Sequence, residues 1–327
     1  MGKRRSAWLN AWDRWSWFRR AWLLAILRFL VFRGGALGDI LLTLPVLRTL
    51  RDKDTSTFVE LVAPFPAALL AQYGGAHSVC DLSSTAFLSL FTEDASLDGA
   101  LRERLRKLDC VISYLSDPKR TLRAKIESCG CRFISGPFRL DEQRWPAPVQ
   151  LAQPLGEELG LVVVDPAPRL FLKRQFLSGT RAFFHVGSGS SAKNWPAPYW
   201  SALAAKLEQE FDELLLVSGE ADEVSAAEFL RTYRGSKLKV RSNLSILDLA
   251  QELAAADLFI GHDTGVTHLA AALSVPTIAL FGPTDSMIWC PLGENVTMVA
   301  SKDGLMASIA VERVWDAVER VLGRPKT

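Results

Sequence analysis

The chain has 327 residues, enough for about two domains. It is 49% hydrophobic and 23% charged, an ordinary globular composition. Thirty-eight basic against 36 acidic residues leave a net charge of +2, which excludes the basic footprint of a nucleic-acid binder over the whole chain. The five cysteines (Cys80, Cys110, Cys129, Cys131 and Cys290) are odd in number and match no zinc spacing, so they are expected as reduced, mostly buried thiols.

The N-terminus departs from this average. Residues 1–33 hold eight basic side chains and one acid. Trp8, Trp12, Trp15 and Trp22 fall on one helical stripe beside Arg14, Arg19 and Arg20, the pattern of a helix lying in a membrane interface. The apolar run 21–32 is shorter than the ~20 residues of a membrane span, and no cleavage site follows it. The competing readings of residues 1–27 are a poorly ordered extension and a translation start placed too early.

From Arg28 the pattern becomes strand, glycine turn, helix. Residues 28–33 (RFLVFR) read as a strand, 34–38 (GGALG) as a turn and 39–52 as a helix. A strand over 57–63, a helix over 65–73 and a strand over 108–116 follow. Then come a helix from Pro118 stopped by Gly130, and a strand over 131–136. Residues 136–180 are rich in proline, with a helix over about 147–160 and a crossing linker over 166–180. The alternation restarts with strands over 181–187, 213–219, 257–261 and 276–282. Helices over 198–210, 221–233, 245–256, 263–274 and 309–322 lie between and after them. Two runs of alternating β and α predict an α/β chain of two Rossmann-like domains with parallel sheets, 28–165 and 181–327, facing each other across a cleft. Ligands in such domains bind at the carboxyl ends of strands.

Three loops at such ends carry chemistry. In the first, Gly34, Gly35 and Gly38 let the backbone approach a ligand, and Asp39 stands where a helix N-cap would. Asp39 reads either as a cap or as a carboxylate able to take a proton from an acceptor hydroxyl. The second loop, HVGSGSSAKNWP (185–196), offers amides and hydroxyls at Ser188, Gly189 and Ser190, followed by Lys193 as a point charge for phosphate. Gly187, Gly189 and Ala192 also match the dinucleotide fingerprint, but two prolines interrupt the helix that it should open. Trp195 reads as packing. The third, DTGVTH (263–268), predicts a helix capped by Asp263. Its free amides at Thr264 and Gly265 would face an anion, with His268 one turn on. Gly265 there removes a side chain that would block a phosphate. A metal held by His262, Asp263 and His268 is the competing reading.

Together, GALGDILLTLPVLRTLR, HVGSGSSAKNWP and DTGVTHLAAALSVPTIALFGPT resemble the three signatures of glycosyltransferase family 9, the heptosyltransferases of lipopolysaccharide core assembly, in order over about 28–322. The resemblance implies a GT-B fold, with acceptor bound by the N-terminal domain and a nucleotide sugar by the C-terminal one. It implies inverting transfer, ADP-heptose as donor, a lipid-linked or oligosaccharide acceptor, and no cofactor or metal. It assigns the base to Asp39, donor phosphate to Lys193, and the diphosphate to Asp263, Thr264, Gly265 and His268. The nucleotide ribose falls to Glu223, with Glu220 second. It suits a cytoplasmic protein peripheral to the inner membrane through residues 1–33, with no nucleic-acid partner. One departure is Val186, where the family has proline. Acceptor recognition is expected in loops 83–99 and 136–150. The alternatives are a nicotinamide-dependent oxidoreductase, from the Gly187 fingerprint, and a non-catalytic sugar-nucleotide binder.

Overall fold

The computed structural model describes residues 27–141, 145–173 and 178–323. The tryptophan stripe at 8–22 therefore lies outside the described residues. Two all-parallel sheets form, as the alternating pattern predicts. The first contains β1 (Arg28–Phe32), β2 (Phe58–Ala63), β3 (Ser78–Asp81), β4 (Cys110–Ser113) and β5 (Arg132–Ser135), in the order β3-β2-β1-β4-β5. The second contains β6 (Arg181–His185), β7 (Glu213–Ser218), β8 (Leu238–Ser242), β9 (Leu258–His262), β10 (Thr277–Phe281) and β11 (Val296–Ala300), in the order β11-β10-β9-β6-β7-β8. Strand order reverses at β1/β4 in one sheet and at β6/β9 in the other. Such switch points are where open α/β sheets bind ligands. The three glycine loops follow β1, β6 and β9, so the topology places all three beside a switch point.

The sequence pattern did not show β3, β8 or β11. Each is an outer strand with at least one face half open, so SVCD, LKVRS and VTMVA lack the apolar run of a central strand. Central β1 shows the contrast. Its Phe29 and Val31 face the cluster shared by the two domains, while Leu30 and Phe32 face an outer cluster with Phe87, Leu90 and Leu101.

The helices are α1 (Leu37–Arg51), α2 (Leu88–Phe91), α3 (Gly99–Arg106), α4 (Thr121–Glu127), α5 (Ala147–Leu159), α6 (Ala197–Glu210), α7 (Glu223–Thr232), α8 (Ile246–Ala254), α9 (Gly265–Ala272), α10 (Ser286–Trp289) and α11 (Val311–Val321). The stretch expected as an acceptor loop, 83–99, thus contains α2 and a short 3-10 turn. The helix expected from Pro118 starts at Thr121, because Arg120 takes a left-handed conformation (φ 58°) just before it. Leu27, assigned by sequence to the extension, is already buried, and its carbonyl accepts from the Phe58 amide.

The key element is α1. Ile40 through Leu47, and Leu50, are all buried, so the middle of the helix is enclosed on every side and, Thr43 apart, apolar. Such a helix has to be enclosed. Here it lies between the domains, against α5 on one side and α9 on the other. One apolar cluster runs from Phe29 and Val31 through Leu41, Leu44 and Leu47 to Leu269 and Ala270 of α9 and Leu249 and Leu253 of α8. Each fully buried leucine contributes roughly 1.5–3 kcal/mol, so this seam holds the two domains together. The crossing segment is pinned to both sides. Arg48 donates to the carbonyls of Asp165 (2.6 Å) and Ala167 (3.2 Å), Leu170 donates to Ala272 (2.8 Å) and Phe171 to Tyr73 (2.8 Å).

The start of α1 meets the start of α9 at Gly265. A Cβ there would lie 2.9 Å from Leu37 Cβ and 3.0 Å from the Gly38 nitrogen. The glycine is thus required by the other domain's helix, a reason that the sequence did not show. His262 closes β9 as a buried staple. Its Nε2 accepts from the Trp195 amide (2.9 Å) and its Nδ1 donates to the Gly187 carbonyl (3.2 Å). Trp195 itself is buried, with its indole donating to the Ile309 carbonyl (2.8 Å).

Two outcomes follow. Gly265→Ala should cost about 1–3 kcal/mol by overpacking, while Gly189→Ala, whose Cβ meets nothing within 4 Å, should stay within about 0.5 kcal/mol. Equal thermal midpoints for the two variants would contradict the close contact. Burial lowers His262 from the ordinary histidine value to about 3. The stability that it contributes as a neutral ring is present above the unfolded value of about 6.5 and lost as pH falls toward 3. The thermal midpoint should therefore fall less steeply below pH 6.5 in His262→Gln than in the parent, and parallel curves would contradict this.

Candidate active site

The first side of the site is the turn between β1 and α1. Residue 36, an alanine, occupies the N-cap position, and Asp39 is at the third helical position rather than the cap that the sequence suggested. From there its Oδ2 reaches back to accept the Ala36 amide (2.9 Å). Gly35, at φ +97°, makes room: a Cβ there would lie 2.2 Å from Asp39 Oδ2. The other oxygen, Oδ1, accepts from Arg33 (2.7 Å), whose Nε also donates to the Asp39 carbonyl (3.3 Å). The Arg33 side chain is only 6% exposed and that of Asp39 is 37% exposed, so the carboxylate meets solvent while its cation does not. Burial pushes the Arg33 guanidinium below its ordinary value, and the charge of Asp39 opposes that fall.

The second side is the loop after β6. Ser188 is tied into the loop, its hydroxyl within reach of the Ser190 carbonyl (2.7 Å) and the Asn194 side-chain oxygen (2.6 Å). Gly189 and Ser190 are exposed at the loop tip. Lys193 leaves the loop to pair with Asp263 at 2.8 Å. Gly187 does not form a dinucleotide turn. A Cβ on it would lie 2.3 Å from Asp222 Oδ1, so its open side is filled by a carboxylate, and the following helix begins only at Ala197. Asp222 also pairs with His185, Oδ2 to Nε2, at 2.7 Å. Burial raises the Asp222 carboxyl, but hydrogen bonds from His185 and the Gly219 amide, with the His185 charge, outweigh it and leave Asp222 below the usual range.

The third side is the start of α9. Thr264, not Asp263, is the N-cap residue, and no side chain caps the helix. The Thr264 hydroxyl lies 3.4 Å from His185 Nδ1. The first amides of α9 therefore keep the partial positive charge of a helix start. One turn on, His268 is 4% exposed, and its Nδ1 has no hydrogen-bond partner. Burial lowers its pKa, while Asp263 and Asp39 pull it the other way. Its ring lies against Gly38, with Cδ2 about 4.0 Å from where a Cβ would stand. The metal trio does not assemble, because both His262 nitrogens are spent on backbone groups. Among the described residues no cluster of three His, Cys, Asp or Glu side chains could hold a metal.

The structure thus brings Gly38, Asp39, Lys193, Asp263, Thr264, Gly265 and His268 to one junction between the domains. Gly34 stands behind it against Leu115, at 3.1 Å from a Cβ. Glu223 is exposed at the first position of α7, and its neighbour Asp222 is the acid that turns inward. Sequence reasoning missed Arg33, His185 and Asp222. Arg33 carried one readable sign, a cation closing an otherwise apolar strand. The His185–Asp222 pair spans 37 residues and had none.

Comparison with known proteins agrees with this geometry. The family model described as glycosyltransferase family 9 (heptosyltransferase) matches residues 165–316. The lipooligosaccharide heptosyltransferase 2 of Campylobacter jejuni is 36% identical over 100 residues, 30% of this chain and 31% of the relative. The match thus spans about a third of that protein's length. Among solved structures, a glycosyltransferase of family 9 from Veillonella parvula superposes with a TM-score of 0.75 at 19% identity, over 91% of this chain and 98% of that one. The Escherichia coli heptosyltransferase WaaC with ADP superposes with a TM-score of 0.70 at 18% identity, over 90% and 100%. At these identities the structures speak for the shared GT-B fold alone. Over residues 165–316 the chain is similar to glycosyltransferase family 9, and its fold is that of the heptosyltransferases on which it superposes.

Proposed function

We propose that the chain is an inverting, metal-independent glycosyltransferase that moves a heptose from ADP-heptose to a lipopolysaccharide-core or related glycan acceptor. The observation that carries the proposal is the junction itself: a solvent-reaching carboxylate on one domain faces a lysine, a histidine and an uncapped helix start on the other. Asp39 takes the proton of an acceptor hydroxyl as its oxygen attacks the anomeric carbon. The bond from that carbon to the diphosphate oxygen breaks on the opposite face, and the nucleoside diphosphate leaves with the electron pair. Lys193, the first amides of α9 and His268 lie where that negative charge develops. Ser188, Gly189 and Ser190, in the loop that carries Lys193, are further candidates for the donor, and Glu223 is the candidate for the ribose. The ADP and ADP-2-deoxy-2-fluoro heptose named with the E. coli WaaC structures support ADP as the donor nucleotide.

The oxidoreductase alternative loses its support, since Asp222 fills the Cβ side of Gly187 and the helix that the fingerprint should open begins only at Ala197. The second reading, a non-catalytic sugar-nucleotide binder, shares the donor site and differs in turnover. Membrane contact through residues 1–33 and a lipid-linked acceptor belong to this proposal as well. No helix among the described residues is long and apolar enough to cross a membrane.

The test is incubation of the full chain with a panel of sugar nucleotides and a heptose-deficient core oligosaccharide, read by mass spectrometry. Transfer from ADP-heptose is expected, and nucleotide binding without turnover would favour the second reading. Asp39→Asn should lower kcat roughly 10²–10⁴-fold with donor affinity nearly kept. Full activity would contradict its role. Lys193→Ala should weaken donor binding roughly tenfold or more, and an unchanged donor Kd would contradict the assignment.

A further inference from the structure

Arg33 is more than the end of a strand. Its guanidinium is buried beneath the glycine turn, and among the described residues its carboxylate partner is Asp39. It holds Asp39 at two points, the carboxylate Oδ1 and the backbone carbonyl. Thr43 donates to the same carbonyl at 2.9 Å. The guanidinium lies over the Tyr114 ring, 5.7 Å from its centroid. The Tyr114 hydroxyl is fixed in turn by donating to the Leu151 carbonyl (2.7 Å), which anchors the ring to α5. The ring also needs Gly136, where a Cβ would lie 2.3 Å from Tyr114 Cδ1. A chain of contacts from Gly136 through Tyr114 and Arg33 therefore fixes one carboxylate oxygen, and the Ala36 amide fixes the other.

A burial this deep is costly for a cation unless its partner and geometry are good. A planar guanidinium on an aromatic face, with its donors on one residue, is a positioning device that a flexible ammonium reproduces only in part. Arginine stacking and a fixed carboxylate rotamer also answer what a base needs, since displacement of a reacting group by about 1 Å can cost roughly 10²-fold in rate.

We infer that Arg33 is the positioning residue for the base: it holds the Asp39 carboxylate in the orientation from which the acceptor hydroxyl is deprotonated. This rests on Asp39 being the base. Arg33 lies on the acceptor domain, away from Lys193 and the loop that carries it, so its loss should be felt in the chemical step and not in donor binding.

The test is steady-state kinetics of full-length Arg33→Met, Arg33→Lys, Asp39→Asn and Arg33→Met/Asp39→Asn, with ADP-heptose as donor. Circular dichroism and the thermal midpoint are measured alongside. Arg33→Met should lower kcat roughly a hundredfold, with donor KM within about twofold of the parent. Arg33→Lys should recover a substantial part of that loss, because it restores a cation at the carboxylate. In the Asp39→Asn background, Arg33→Met should change kcat by less than threefold, since the group that it positions is gone. Full kcat in a folded Arg33→Met, with Asp39→Asn inactive, would overturn the inference and leave the base assignment standing. Full kcat in Asp39→Asn would overturn the base assignment itself. Equal losses for Arg33→Met and Arg33→Lys, or a loss in Arg33→Met that persists undiminished in the Asp39→Asn background, would reduce Arg33 to a structural role. Should Arg33→Met fail to fold, Arg33→Lys and its double variant with Asp39→Asn carry the same comparison.

Discussion

The whole arrangement depends on one helix whose middle is buried from every side. The middle of helix α1, residues 40–47, cannot face water on any side, so the two domains have to enclose it between them. That enclosure fixes the start of α1 against the start of α9, with Gly265 as the point of closest approach. Asp39, in the first turn of α1, is thereby carried to the helix start, the histidine and the lysine of the other domain. The apolar seam and the polar junction are one design: the hydrophobic contact sets the distance between Asp39 and the polar groups of the other domain.

Electrostatics completes the junction. The buried Arg33 pairs with the part-exposed Asp39, His185 is hydrogen-bonded to Asp222, and Lys193 pairs with Asp263. Buried charges are tolerated when paired in this way, and removing one partner of such a pair is more harmful than the worth of the pair. Two of these pairs hold fixed groups in place. In the third, the Lys193 side chain is 29% exposed, so it alone keeps a path to an incoming anion. The uncapped start of α9 adds positive potential at the same spot without a further side chain.

Much of this could be read from the sequence. The central strands and long helices announce themselves by period and by apolar runs, and the three glycine loops stand out against them. Asp39, Lys193, Asp263, Thr264 and His268 were legible because each sits in or just after such a loop. What escaped depends on three-dimensional proximity. The edge strands β3, β8 and β11 have one side open and so lose the run that marks β1 or β9. Asp222 and Glu223 are adjacent in sequence, and only the path of the short turn after β7 decides that Asp222 points inward. The need for glycine at 265 and 187 was visible. Its reasons, the other domain's helix and an acidic side chain, were not.

The central claim is that the junction of α1 and α9 receives the diphosphate of the donor. The most direct measurement is hydrogen–deuterium exchange of the full chain with and without ADP. The account predicts slowed exchange at the amides of 264–268 together with those of 36–39, so that both domains respond. Protection confined to other regions, with both of these segments unchanged, would contradict it.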